Sequence, residues 1–200
     1  MKGIFITIEG PDGAGKTTQR ELLKEYLEKK GYDVLITRDP GGNPISEAIR
    51  EVILNKDFTE MGYMTELLLY ASARAQLVKE NIKPALDAGQ AVIADRFVDS
   101  SAVYQGIGRG LGVDTVYKVN EFALQGIMPD MTFLMSILAI PGRTVRPECM
   151  RHSSWILTPR REYPERRTRL NLTEWRMKKW SSIRRSWMDT ACLRICTLRE

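Results

Sequence analysis

Apolar and polar positions follow two different periods along this chain, and the switches between them predict its elements. Ile4-Phe5-Ile6-Thr7-Ile8 is a short apolar run closed by Glu9 and a glycine, which predicts a buried strand. From Gly15 to Lys30 the period changes. Leu22, Leu23, Tyr26 and Leu27 recur at helical spacing with charges between them, and Gly31 ends the helix. Tyr32–Thr37 reads as a second strand. Strand, helix and strand in this length make a βαβ unit, so the strands run parallel with a right-handed crossover. Ser46–Leu54 and the longer Glu66–Leu86 are helical patterns, and Leu67, Leu68, Tyr70, Ala71 and Arg74 crowd the first turns of the second. Gln90–Ala94 is a third, buried strand. Residues 104–112 contain Gly106, Gly108, Gly110 and Gly112, which predicts a mobile and partly irregular connection. Val113–Gln125 is helical again, and Met131–Met135 is a further strand after the break at Pro129-Asp130. There is no internal repeat. The expected class is α/β: a doubly wound parallel sheet with helices on both faces.

Composition divides the chain in two. Its 200 residues suit one α/β domain and carry a net charge of +5. Yet residues 1–136 hold 15 Lys/Arg against 19 Asp/Glu, whereas residues 137–200 hold 15 against 6. All four Trp, the three Cys (Cys149, Cys192, Cys196) and His152 fall in the second part, with only one of the fifteen glycines, Gly142. Arg outnumbers Lys there by thirteen to two. Three cysteines at these spacings make neither a metal pattern nor a full disulfide framework. No run is long enough to span a membrane, and Met1-Lys2-Gly3 before a strand is not a secretory signal. A soluble, cytoplasmic protein is expected.

The first candidate chemistry lies between the first strand and the first helix. Gly10-Pro11-Asp12-Gly13-Ala14-Gly15-Lys16-Thr17 fits G-x-x-x-x-G-K-[ST] in the strand–helix context that gives this pattern meaning. Glycines let successive N–H groups converge on phosphate oxygens, and the following helix presents its positive end to them. Lys16 is expected to reach the outer phosphates of a nucleoside triphosphate, and Thr17 to ligate Mg²⁺. This makes the fold a P-loop one. Asp95 follows a buried strand, where a carboxylate would hold water around Mg²⁺, and Glu9 joins the candidate metal set. Arg96, Arg38 and Arg74 lie near strand or helix ends around one site and suggest a second anion. Phosphoryl transfer to a phosphate acceptor needs positioning and charge neutralisation rather than a general base. Residues 1–136 contain no histidine.

Four linked stretches carry a family resemblance. Phe5 to Gln19, including the phosphate loop, resembles the opening of bacterial thymidylate kinases. Thr37-Arg38-Asp39-Pro40-Gly41-Gly42 is similar to a family segment that usually has Glu at the third place. Leu67 to Gln76 resembles the thymine-binding helix, with Tyr70 where Phe is usual and Ala73 where Asp is common. Asp95 to Gly106 resembles the DR[YF] segment, and Asn120 to Ala123 and Pro129 to Thr132 continue the likeness. The resemblance covers about two-thirds of the chain and implies ATP-dependent phosphorylation of dTMP to dTDP, with Mg²⁺. It implies that Asp12 accepts the deoxyribose 3′-hydroxyl, Tyr70 stacks on thymine and Arg74 bonds its carbonyl edge. Arg96 would grip the acceptor phosphate, and Ser101, Tyr104 and Gln105 would line the base and sugar pocket. A homodimer is also implied. Gly13 is not basic, which resembles family members whose catalytic arginines come from a later lid.

The likeness stops near residue 136. Family members follow Pro-Asp-x-Thr with a strand ending in Asp, an arginine-bearing lid, two helices and a last strand. Ser136 stands at that Asp, and from residue 137 onward no sustained amphipathic period appears. The codons suggest why. When the third base of each codon is joined to the first two of the next, Leu172 to Trp187 permits Asp-Arg-Met-Glu-Asn-Glu-Lys-Val-Glu-Phe-His-Lys-Lys-Val. Trp187 to Thr190 then permits Asp-Gly-Tyr, the next six codons permit Arg-Leu-Leu-Ala-Asp-Met, and Cys196 to Glu200 permits Tyr-Pro-Glu-Arg. These strings resemble the missing lid border and late helices in their proper order. The sequence is therefore read as a kinase core, residues 1–136, followed by a tail from a frame shifted near residues 135–140. A basic nucleic-acid-binding tail, with Arg and Trp interleaved, is the competing reading; nucleic acid is not the expected partner.

Overall fold

Four parallel strands form the sheet because each is an apolar run that has both faces to bury. The structure is a computed structural model and describes residues 3–136, together with the backbone of residues 154–159. Strands β1 (Ile4–Glu9), β2 (Val34–Arg38), β3 (Ala91–Asp95) and β4 (Met131–Ser136) lie in the order β2-β3-β1-β4. In register, Ile4 to Ile8 of β1 face Ala91 to Asp95 of β3, and Ile6 to Glu9 face Met131 to Leu134 of β4. The parallel strands agree with the periodicity within a residue or two. A fifth strand does not come from it: β5 (Ser154–Pro159) pairs antiparallel with β4 at the sheet edge. The expected parallel sheet of residues 1–136 is present, and β5 adds an antiparallel strand at its edge. A strand end at an edge tolerates Pro159, which has no N–H to donate. Residues 137–153 and 160–200 lie outside the described residues, and the frame-shift and lid readings lie there with them.

Helix α1 (Lys16–Lys29) packs on β1, β2 and β3 and buries Leu23 and Leu27. Helix α2 (Pro44–Leu54) starts at Asn43, whose side chain accepts from Ser46 N at 2.9 Å, with Pro44 supplying the fixed φ of the first turn. The long helical pattern is one continuous rod with three windings: α3 (Tyr63–Leu77), a π-helical stretch Val78–Ile82 and α4 (Lys83–Asp87). After β3 come α5 (Val98–Ser101) and a second π-helical stretch, Ala102–Gly108, then α6 (Val113–Leu124). The glycine-rich connection is wound helix through Gly108 and irregular from Arg109 to Gly112, so it is partly irregular as expected. Arg109 N to Tyr104 O and Gly112 N to Gly106 O close it with wide loops of backbone hydrogen bonds.

Alternation along the strands divides the core between two faces. Phe5, Val92 and Ala94 face Leu77, Val78, Ile82, Phe97 and Leu124 in one buried cluster. Ile6, Ile8, Ala91 and Ile93 point the other way and are equally buried. Phe5 and Phe97 meet edge to face at 5.0 Å, worth about 1 kcal/mol beyond the area they bury. That contact anchors the turn after β3, where the site begins.

Candidate functional site

Parallel strands bring their carboxyl ends to one edge, and three of those ends carry the chemistry. The loop Gly10–Gly15 joins β1 to α1. Gly10 has φ 136, and a Cβ there would stand 2.3 Å from the Met135 carbonyl oxygen, so only glycine lets the loop pass beside β4. Gly15, at φ 84, turns the chain into α1, whose first turn contains no acidic residue. The positive helix end therefore stays uncompensated beneath the loop. Lys16 is 8% exposed and donates to the carbonyls of Gly10 at 3.0 Å and Pro11 at 2.9 Å. Its ammonium lies 3.5 Å from Asp12.

Asp12 is the exposed apex of the loop, and Arg96 Nη2 reaches it at 2.7 Å from the end of β3. The Arg96 hydrogen bond and charge, then Lys16, hold the Asp12 carboxyl below its ordinary range, so it is an acceptor at neutral pH. Strand alternation decides the metal candidates. In the β1–β3 register Ile8 stands beside Asp95, so Glu9 and Asp95 point to opposite faces. Asp95 lies on the α1 side, 3.8 Å from Arg20, and remains partly exposed. Glu9 is 4% exposed; Oε1 accepts from Phe97 N at 2.8 Å and Oε2 from Ser100 Oγ at 2.5 Å. Both Glu9 oxygens are thus engaged by the turn after β3, which Glu9 clamps to β1. Thr17 and Asp95 carry the oxygen donors that Mg²⁺ takes. Mg²⁺ is ordinarily held by one or two protein ligands, water and phosphate, so it needs no cluster of three carboxylates, and the described residues contain none.

Arg74 sits deeper, 1% exposed. Its Nε donates to Asp39 at 2.5 Å, Nη2 to Ser101 Oγ at 3.0 Å and Nη1 to Asn120 Oδ1, with the guanidinium 5.4 Å over the Phe97 ring. Burial pushes the Asp39 carboxyl up against the pull of Arg74. Arg38 joins neither Arg74 nor Arg96: it is exposed and paired with Glu47 at 2.8 Å. The three arginines are therefore not one open cationic cluster. Tyr70 is half-buried on α3, and burial, with the Glu66 charge, raises its phenol above the usual range. Gln105 is buried and donates to Glu66 at 2.6 Å, while Tyr104 is exposed at 50% with Arg96 5.4 Å over its ring. Asn120, Ser100 and Glu66 were not among the expected site residues. For Asn120 a signal existed: it is a polar residue on the buried face of α6, beside Val116 and Ala123.

Glu9 gives one prediction. Burial first, and the charge of Asp99, raise its pKa from 4.5 to about 7, against Ser100, Phe97 N–H and Arg96, which lower it. A carboxyl with a raised folded pKa binds a proton more tightly in the folded state. Its contribution to stability is present below pH 4.5 and is lost as pH rises to about 7. The loss should be about 3 kcal/mol at most. In urea titrations at pH 4.5 and 7.5, Glu9→Gln should flatten that part of the profile; an unchanged difference would contradict it.

The sequence profile of thymidylate kinases matches residues 8–141. The chain belongs to the thymidylate kinase family. A thymidylate kinase of Geobacillus thermodenitrificans is 56% identical over 137 residues, which are 68% of this chain and 61% of that protein. The thymidylate kinase of Bacillus pumilus is 56% identical over 142 residues, 71% of this chain and 67% of that one. The crystal structure of Ehrlichia chaffeensis thymidylate kinase superposes with a TM-score of 0.61 at 37% identity, over 67% of this chain and 75% of the other. The matched part thus spans about two-thirds or less of these two relatives' length. The family likeness ends where the composition changes, near the end of β4. Among the described residues, no helix is long and apolar enough to cross a membrane.

Proposed function

We propose that residues 1–136 bind ATP and dTMP and support transfer of the terminal phosphoryl group of ATP to the dTMP phosphate. One observation carries this: Asp12, on the phosphate loop, is shared between Lys16 and Arg96. A cation for the donor and a cation for the acceptor phosphate therefore meet at one carboxylate. In this reading the loop amides, Lys16 and the α1 N-terminus take the ATP phosphates, and Arg96 takes the acceptor phosphate. Asp12 accepts the sugar hydroxyl, Tyr70 stacks on thymine, and Arg74 with Ser101 faces its carbonyl edge. Tyr104 and Gln105 complete the pocket, with Arg38 at its rim. Mg²⁺ would be held by Thr17 and, through water, Asp95; when bound it neutralises charge on the phosphates. A cytoplasmic location suits these substrates.

Incubating the full chain with radiolabelled ATP, Mg²⁺ and dTMP, dCMP, dAMP or dGMP tests the reading. Label should pass to dTMP ahead of the others; preferential labelling of another monophosphate would refute it. A second reading, binding with little turnover, is favoured by Gly13, which supplies no cation, and by the tail that replaces the family's lid. A frame shift near residues 135–140 accounts for that tail, and the nucleotide sequence across codons 130–145 of this gene and its near relatives tests it. An unbroken frame with the same tail in those relatives would sink the idea.

A homodimer is the partner we favour. Its support is an apolar surface on two helices that pack together: Met64 and Leu68 on α3, 43% and 49% exposed, and Phe122 on α6, 86% exposed. Sedimentation should give a dimer for the full chain and a monomer for Phe122→Glu. A dimer that survives the substitution would move the interface elsewhere.

A further inference from the structure

We infer that Glu9 is the positioning residue for Arg96, setting both its backbone and its guanidinium for the acceptor phosphate; this rests on the proposed phosphate role of Arg96. Arg96 has φ 67, a left-handed conformation that is unfavourable for a non-glycine residue and persists only where neighbours enforce it. Two consecutive residues at the end of β1 do so. The Ile8 carbonyl accepts from Arg96 N at 3.0 Å, and Glu9 Oε1 accepts the next N–H, that of Phe97, at 2.8 Å. The peptide groups on both sides of Arg96 are tied to β1.

The other oxygen of Glu9 reaches the side chain. Ser100 Oγ donates to Glu9 Oε2 at 2.5 Å and accepts from Arg96 Nη1 at 3.2 Å. A hydroxyl has one proton. Where Glu9 is ionised its carboxylate takes that proton, which turns the lone pairs of Ser100 toward the guanidinium. Nη1 is thereby fixed through Ser100 and Nη2 through Asp12 at 2.7 Å, so the guanidinium is held from two sides. An amide at position 9 cannot reproduce this. It has one acceptor oxygen for two donors, and its NH₂ would confront either Phe97 N–H or the Ser100 proton.

The test is calorimetric titration of the full chain and its Glu9→Gln, Ser100→Ala and Arg96→Met variants with dTMP, thymidine and ATP. Thymidine lacks the phosphate, so it separates a guanidinium effect from general damage. Glu9→Gln and Ser100→Ala should each weaken dTMP about tenfold, a loss of one charge-assisted contact, while thymidine and ATP change by less than about twofold. Arg96→Met should weaken dTMP at least as much. Equal losses for dTMP and thymidine would make Glu9 merely structural and overturn the inference. So would intact dTMP binding in both Glu9→Gln and Ser100→Ala while Arg96→Met loses it. If Arg96→Met itself binds dTMP normally, the proposed role of Arg96 fails, and the inference falls with it. Ser100→Ala leaves the Phe97 clamp in place, so it decides the matter should Glu9→Gln not fold.

Discussion

Restoring the family's frame in the tail should raise dTDP formation by about a thousandfold or more, with dTMP binding changed by less than about threefold. The frame that yields the lid-like strings joins the third base of each codon to the first two of the next. A single inserted base within codons 135–140, read to its own stop, produces it. The size of the effect follows from charge. The transferring phosphoryl group spreads negative charge over its outer oxygens, and an added arginine there is worth roughly 10³ to 10⁵ in rate. The loop supplies Lys16, but Gly13 supplies no cation, and an added Cβ at Gly13 meets nothing within 4 Å. In the proposed function the missing charge comes from the family's lid, which the restored frame would encode. Single-turnover formation of dTDP, measured side by side for the two proteins, is the check. Equal rates would show that the core and the present tail already form the complete catalyst.

The second large effect concerns stability. Arg74→Met should cost about 3–5 kcal/mol, because it strands a carboxylate without its counter-charge. The Asp39 side chain has no solvent exposure, and Arg74 is its one cationic hydrogen-bond partner among the described residues. Its Oδ1 already has no partner there. Asn120 and Ser101 would lose their donor as well. At a chain of this size the loss should lower the thermal midpoint by roughly 10 °C. Adding Asp39→Asn to Arg74→Met should recover at least about 1 kcal/mol by removing the stranded charge. A single variant within about 1 kcal/mol of the parent in urea would show that the network contributes only to binding.

What was readable in the sequence was local. The Gly10–Thr17 loop and the strand before it are encoded in adjacent residues, since backbone geometry and period-two burial need no distant partner. Asp95 and Arg96 were readable because a strand end in such a sheet is a site by position. The pairings were not. Arg74 meets Asp39 35 residues away and Asn120 46 residues away, so only the folded topology brings them together. The partners of Glu9 are not legible either: its nearness to the loop suggests a metal, and only the folded chain shows that strand alternation aims it at Phe97 and Ser100. The glycines of residues 104–112 suggest a partly irregular connection, which holds for residues 109–112, whereas those up to Gly108 sit in a wound backbone held by wide hydrogen-bonded turns. Strand β5 is not legible in the sequence, because it depends on pairing with β4 and its own residues show no period.

The proposed function requires the first 136 residues to form a site for dTMP beside a site for ATP, whatever follows them. Calorimetric titration of the full chain with dTMP, dCMP and dAMP tests it most directly, because it does not depend on turnover. Saturable binding of dTMP, tighter than that of the other two by about tenfold or more, is the predicted result, since in the proposed function Arg74 and Ser101 bond the thymine edge and the wrong base would not match them. No dTMP binding, or equal affinity for all three, would contradict it.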